Sequence, residues 1–148
     1  MKVLLVSSVL LRGAASRAAE YAQCTEAVTR LAEASDVVCV CAQVIIESYV
    51  VASRPVERNG LGFTVAEARQ FLGDVEGSFP CLPEPADMGR RWGELMMRYT
   101  VIGKQAHDAR IAALMLAHGV THLLTLNPTD FTRYAGITPV TPQEILNQ

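Results

Sequence analysis

Two carboxylates of this 148-residue chain are predicted to lie beside apolar side chains on helices. Asp108 and Glu47 each stand at helical spacing from three apolar residues, with which they would share a face. Those apolar residues are Ile111, Ala112 and Met115 for Asp108, and Val44, Val50 and Val51 for Glu47. An ionised carboxylate in such surroundings is costly unless a cation or several donors accompany it. Each acid is therefore expected either to bind a metal ion or to pair with a basic side chain such as Lys104, Arg110 or Arg12.

A third acid, Asp130, and its neighbour Asn127 directly follow the predicted strand over residues 122–126. Ligands of parallel sheets bind beyond the carboxyl ends of the strands, so both residues fall where an active site is expected. Helix capping offers another explanation, because Asn127, Pro128 and Asp130 would occupy the cap, first and third positions of a helix start. The two explanations are compatible, and the sequence leaves both open.

Clustered carboxylate and amide oxygens suit hard divalent ions such as Mg²⁺ or Mn²⁺. Such an ion would offset the mutual repulsion of the acids, activate a water and stabilise the charge that develops on a phosphodiester. The chain has 13 basic and 15 acidic side chains and a net charge of −2, so it does not attract nucleic acid as a whole. Binding of nucleic acid would therefore depend on a local basic patch or on the metal.

Apolar runs and helix signals alternate along the chain and predict the elements that must position these residues. Predicted strands cover residues 2–6, 37–40, 122–126 and 138–140. Predicted helices cover residues 17–34, 42–53, 64–72, 86–99 and 102 or 104–118, with Ala18, Ala22, Val28 and Leu31 on the inner face of the first. Residues 73–85 are expected to be irregular, with a short strand near Phe79, and residues 130–134 to form a short helical turn. This alternation predicts an α/β fold with a central parallel sheet covered on both faces, in one domain over residues 1–148.

The first residues of the chain allow two interpretations. Met1 and Lys2, followed by an apolar run to Leu11, resemble a weak signal peptide. We favour a buried strand that leads into a short helix, because Arg12 stands where a cleavage region should be uncharged. No apolar run reaches the roughly 18 residues that a membrane span requires. We expect a cytoplasmic protein.

Several segments resemble PIN-domain proteins, and among them VapC-type toxins of bacterial toxin–antitoxin pairs. The likeness is most specific in two segments, residues 102–110 (IGKQAHDAR) and 118–131 (HGVTHLLTLNPTDF). Residues 44–47 (VIIE) and 54–60 resemble the same group. The resemblance implies a PIN-like three-layer α/β/α sandwich and a metal-dependent ribonuclease with an acidic pocket at the carboxyl edge of its sheet. It also implies a homodimer and an antitoxin that holds the enzyme inactive.

The resemblance assigns functions to particular residues. Catalytic and metal-binding roles fall on Glu47, Asp108 and Asp130, which would bind Mg²⁺ or Mn²⁺ with Asn127 nearby. Ser8 stands where the family has an asparagine, and Ser8, Arg54 and Arg58 are the predicted contacts of the RNA substrate.

One acid of the family pattern is absent. The family's first strand ends in a motif such as Leu-Asp-Thr-Asn-Val-Leu-Leu, whereas residues 5–11 read LVSSVLL, with Val6 in place of the aspartate. Because valine cannot bind Mg²⁺, we expect weak metal binding and RNA hydrolysis below that of a four-carboxylate relative, or none. The alternative is a catalytically degenerate PIN domain that binds RNA or an antitoxin. A further alternative is a structural α/β protein whose acids are only capped or paired.

Overall fold

The computed structural model describes residues 1–14, 20–34 and 36–148. Within these residues, five strands form one sheet in the order β3-β2-β1-β4-β5, and every neighbouring pair is parallel. The strands are β1 (Lys2–Leu5), β2 (Val37–Cys41), β3 (Cys81–Leu82), β4 (His122–Leu124) and β5 (Thr138–Val140). The predicted α/β class with a central parallel sheet is therefore confirmed.

Helices cover the sheet as the two outer layers of an α/β/α sandwich. In the described residues they are α1 (Ser7–Ala14), α2 (Tyr21–Glu33), α3 (Ala42–Ser53), α4 (Val65–Ser78), α5 (Met88–Tyr99), α6 (Gln105–His118) and α7 (Pro142–Leu146). Two short 3-10 turns span Val56–Arg58 and Pro128–Asp130. In the part of the chain that the structure describes, no helix is both long and apolar enough to span a bilayer.

The central strands are apolar along their length because helices bury both of their faces. Leu4 and Leu5 of β1 and Leu123 and Leu124 of β4 are all 0% exposed. Such uninterrupted apolar runs are typical of parallel strands that lie between two helical layers. The core therefore fixes β1 and β4 side by side, and the ends of these two strands are rigidly placed.

The order of the strands reverses between β1 and β4. The chain runs outward from β1 through β2 to β3 and then returns to β4 on the other side of β1. In open parallel sheets, such a reversal leaves a crevice at the carboxyl ends of the two strands. Helix α3 directly follows β2, and only residues 119–121 connect α6 to β4, so the first turns of both helices face this edge.

Helix α4 is longer than the sequence predicts. It begins at the predicted capping box of Thr64 and Glu67 but continues to Ser78, so the irregular structure predicted from residue 73 is wrong. Leu72 and Val75 continue its buried face on both sides of Gly73. Their burial outweighs the roughly 1 kcal/mol by which a glycine disfavours a helix. The expected short strand follows as β3.

Two other predictions are corrected in part. The buried face of α2 consists of Cys24, Ala27 and Leu31, and Val28 packs partly buried against the core, whereas Ala22 is exposed. The predicted start at residue 17 and the inward Ala18 lie outside the described residues. The helical turn predicted over residues 130–134 occurs instead over residues 128–130, where Pro128 supplies the φ angle that a first turn requires.

Candidate acidic site

Three carboxylates from separate elements interact at the carboxyl edge of the sheet. Asp108 lies half-buried in the first turn of α6, Glu47 lies on α3, and Asp130 closes the 3-10 turn after β4. Burial, followed by repulsion from Asp130 and from Glu47, raises the pKa of Asp108 from 3.8 to about 6. The fold thus brings the three predicted acids together, and we call Glu47, Asp108 and Asp130 the acidic cluster.

Two of the basic side chains that could have neutralised this cluster are engaged elsewhere. Arg12 pairs with Glu20 at 3.3 Å, and Arg110 pairs with Glu84. Within the described residues, no ion pair involves Lys104 or any member of the acidic cluster. Salt bridging therefore does not explain why acids occupy these positions.

Helix capping does not explain Asn127 either. It precedes the turn Pro128–Asp130, as the sequence predicts, yet its side chain donates and accepts no capping hydrogen bond there. Its main-chain N–H instead donates to Oγ1 of Thr125 at 3.0 Å. The side chains of Asn127 and Asp130 are both exposed at the sheet edge, where a ligand could reach them.

The surroundings of Glu47 differ from the predicted apolar face. Val50 is 52% exposed, so it does not share a buried face with Glu47. Val44 is buried on α3 as predicted, and the inner face of this helix also carries the buried polar residues Gln43 and Ser48. Nε2 of Gln43 donates to Oε1 of Glu47 at 2.9 Å. Sequence reasoning missed Gln43 because it followed apolar periodicity, although the spacing of Gln43 and Glu47 is typical of a bonded pair on one helix face.

Arg133 is a second residue that sequence reasoning missed. Electrostatic interactions with His107 and with the guanidinium of Arg133 lower the pKa of Asp108, although burial and the two neighbouring acids outweigh this effect. The guanidinium also donates to Oε1 of Gln105 at 2.6 Å, which ties the segment after Asp130 to the start of α6. The signal in the sequence is an arginine three residues after an acid at a strand end.

The position of the missing acid is filled by an apolar side chain. Val6 is 7% exposed, and its main-chain N–H donates to the carbonyl of Leu124 at 3.3 Å. Oγ of Ser8 accepts a hydrogen bond from the N–H of Leu126 at 3.2 Å. A cavity of about 460 Å³ opens here, with Ser8 and Asn127 in its lining. The end of β1 is therefore well packed but presents no carboxylate to this cavity.

The loop after α3 borders the same cavity through Asn59. Nη2 of Arg54 donates to the carbonyl of Asn59 at 3.3 Å. A Cβ atom at Gly60 would stand 1.9 Å from the carbonyl oxygen of Arg54, so the loop is tightly folded on itself. Arg58 lies on the outer turn of the loop and is exposed. Contacts of Ser8, Arg54 and Arg58 with RNA stay predictions.

The donor set suits a divalent cation, but its side chains do not converge on one point. Carboxylate and amide oxygens are the ligands that Mg²⁺ and Mn²⁺ prefer. Within the described residues, no group of three or more His, Cys, Asp or Glu side chains is arranged to hold an ion. Like charges repel one another when no cation is between them, and the exposed Asp130 can rotate at little cost. Metal binding would therefore draw the acidic cluster together.

The fold is that of α/β domains with a central parallel sheet, and the acidic cluster lies at the carboxyl edge of this sheet. Comparison with known proteins identifies the family. Residues 3–137 match the model of the PIN domain family, and the chain belongs to that family. The family predicted from the sequence is thus confirmed. A comparison of the sequence with curated proteins finds no match.

Solved structures with a similar fold include toxin–antitoxin complexes. The fold resembles VapBC2 from Rickettsia felis, solved with a DNA fragment from its promoter, with a TM-score of 0.72, 16% identity and coverage of 95% of this chain and 98% of that one. It also resembles VapBC-1 from nontypeable Haemophilus influenzae, with a TM-score of 0.67, 14% identity and coverage of 97% and 99%. A Pyrobaculum aerophilum protein matches with a TM-score of 0.62, 16% identity and coverage of 100% and 97%. At these identities the likeness shows the fold alone.

Proposed function

We propose that this chain is a VapC-like toxin, a ribonuclease that depends on Mg²⁺ or Mn²⁺ and is weakened by the valine at position 6. The observation that carries the proposal is the position of Asp108 in the acidic cluster, where burial first, and then repulsion from Asp130 and Glu47, raises its pKa to about 6. In the described residues these carboxylates form no ion pair, although they lie at the edge of the sheet where ligands bind. This arrangement favours a function in which a bound metal cation supplies the positive charge. Membership of the PIN family supports the same function.

Glu47, Asp108 and Asp130 would hold the ion, and Asn127 would add an amide oxygen at the same edge. A bound divalent cation supplies the charge that offsets these acids and favours attack of water on the phosphodiester. Asp108 must be ionised to contribute fully, so its role depends on pH near 6. Glu47 lies on α3 and Asp130 in the turn after β4, and their side chains would rotate toward Asp108 to surround one ion.

Position 6 limits this chemistry. An acid there would lie at the carboxyl end of β1, beside the turn that carries Asn127, whereas Val6 supplies neither a charge nor a ligand. Ser7 and Ser8 offer neutral hydroxyls, which are weak ligands, and Oγ of Ser8 already accepts a main-chain hydrogen bond. We therefore expect one weakly bound ion rather than a pair.

The same proposal covers substrate, partners and setting. Ser8, Arg54 and Arg58 would contact RNA phosphates around the cavity that Ser8 lines. An antitoxin protein would block the site, and the toxin would form a homodimer in the cytoplasm, with residues 1–148 as a single PIN-like domain. The likeness to VapBC structures supports the antitoxin partner.

Restoring the missing acid tests the proposed activity. We expect Val6→Asp to raise Mn²⁺-dependent cleavage of RNA by at least about tenfold, since a fourth carboxylate strengthens metal binding and orientation. Val6→Asn is the matched control, because asparagine has the same shape as aspartate but no charge. This variant should not produce the gain. Circular dichroism establishes that both variants are folded. A folded Val6→Asp protein with no more activity than Val6→Asn would contradict the proposed ribonuclease.

A degenerate PIN domain that binds without cutting is the second candidate. The packing of Val6 at 7% exposure and the use of the Ser8 hydroxyl in a main-chain hydrogen bond favour it, because both stabilise this edge without an ion. This candidate predicts that Val6→Asp gains no activity while the protein still binds RNA or an antitoxin. Binding of labelled RNA, measured by fluorescence anisotropy beside the cleavage assay, distinguishes the two functions.

A further inference from the structure

Gln43 is a buried glutamine whose side-chain amide contacts three other residues. It is 8% exposed and lies in the first turn of α3. Its Nε2 donates to Oε1 of Glu47 at 2.9 Å and to the main-chain carbonyl of His107 at 2.7 Å. Its Oε1 accepts from Nη1 of Arg110 at 3.2 Å. Both amide hydrogens are thereby used, and the group is held from three sides.

These partners determine which way the amide of Gln43 points. An ionised carboxylate and a main-chain carbonyl only accept hydrogen bonds, and a guanidinium only donates them. Exchanging the amide oxygen and nitrogen would set oxygen against two acceptors and nitrogen against a donor. Arg110 is itself anchored, because its Nε donates to Oε1 of Glu84 at 2.9 Å and its Nη2 contacts the same oxygen. Gln43 therefore has one satisfied orientation.

This single amide joins the two helices that carry neighbouring acids. Glu47 lies one turn after Gln43 on α3, and His107 directly precedes Asp108 in the first turn of α6. A neutral amide stabilises the Glu47 carboxylate by hydrogen bonding but leaves its negative charge in place. An arginine or lysine at position 43 would have offset that charge, so the amide preserves the attraction of the site for a cation.

We propose that Gln43 is a positioning residue of the acidic cluster, which orients the Glu47 carboxylate and holds it beside the first turn of α6. The inference rests on the proposed metal-binding function. Residues that orient metal ligands typically contribute about 10- to 100-fold to metal affinity. Gln43→Met, which is similar in size but lacks both donors, should weaken Mn²⁺ binding by that factor.

Isothermal titration of the full chain with MnCl₂ measures the effect. Gln70→Met is the matched control, because Nε2 of Gln70 donates to Oδ1 of Asp74 at 3.0 Å with the same spacing on the exposed face of α4. This control should bind Mn²⁺ like the wild type. In a Glu47→Gln background, Gln43→Met should cause no further loss, because Gln43 acts through Glu47. Additive losses would overturn the positioning role in favour of a general structural one.

Arg110→Lys tests the same inference without altering Gln43. The variant keeps the positive charge, but a single ammonium group cannot hold Glu84 and Gln43 as the planar guanidinium does. We expect the Mn²⁺ affinity to fall by at least about threefold. If circular dichroism shows that Gln43→Met is unfolded, Arg110→Lys decides the question.

The outcomes separate this inference from the function on which it rests. A wild-type protein that binds no Mn²⁺ would overturn the proposed metal site and the role of Gln43 together. Mn²⁺ binding that persists at wild-type affinity in folded Gln43→Met, or in Arg110→Lys where Gln43→Met does not fold, would overturn the positioning role alone. The positioning role is supported if Mn²⁺ binds more weakly to Gln43→Met, or to Arg110→Lys where Gln43→Met does not fold, while Gln70→Met binds Mn²⁺ normally.

Discussion

The position of Asp108 disfavours the ionised form of its side chain relative to the protonated form. Its pKa is raised to about 6, first by burial and then by the charges of Asp130 and Glu47. When the pKa of an acid is higher in the folded than in the unfolded state, the free energy of unfolding falls as the acid ionises. For Asp108 this loss occurs as pH rises from about 4 to about 6, and the lower stability persists above that range.

Asp108→Asn should therefore stabilise the metal-free protein at pH 7.5. We expect a gain on the order of 1 kcal/mol, a value reduced for the partial solvent exposure of this side chain. The variant should also remove part of the decline in stability between pH 4 and pH 6. Urea denaturation across this pH range measures both effects. Asp74→Asn, on the exposed face of α4, is the control, and a less stable Asp108→Asn protein at pH 7.5 would refute the prediction.

The glycines show how individual elements determine local stability. Gly73 lies within α4, and a Cβ atom there would meet no heavy atom within 4 Å. At Gly60, by contrast, a Cβ atom would stand 1.9 Å from the carbonyl oxygen of Arg54. The same substitution should therefore have opposite effects in the helix and in the loop.

We expect Gly73→Ala to increase the free energy of unfolding by about 0.5–1 kcal/mol, because alanine favours the helix and has room. Gly60→Ala should decrease it, because the loop must open to accommodate the methyl group. Urea denaturation of both variants at one pH checks the pair. A loss of stability in Gly73→Ala would mean that α4 does not continue through this position.

The sequence predicts elements best where one physical signal dominates. Helix α3 has its predicted bounds, Ala42–Ser53, because Pro55 limits its extension. The prediction ended α4 too early because Gly73 disfavours a helix locally. The burial of apolar side chains over several turns continues the helix through this position. Gln43 was missed because apolar periodicity does not register a buried polar group, and two of its three partners, His107 and Arg110, come from a distant part of the chain.

The order of the strands accounts for the site at the level of the whole molecule. Because the strand order reverses between the parallel strands β1 and β4, α3, α6 and the turn after β4 all reach one edge of the sheet. Spacing along the sequence picked out Glu47, Asp108 and Asp130 separately, but it does not reveal that they lie at the same edge of the sheet. Their shared position depends on strand order, which the resemblance to PIN domains implied and the family match supports.

Titration calorimetry with Mn²⁺ tests the central claim, that one divalent cation draws the acidic cluster together. We expect the wild-type protein to bind one ion per chain, more weakly at pH 5 than at pH 7.5, because Asp108 with its pKa of about 6 must lose a proton. Asp108→Asn should abolish this binding, whereas Asp74→Asn should retain it. Unchanged Mn²⁺ affinity in Asp108→Asn would contradict the account.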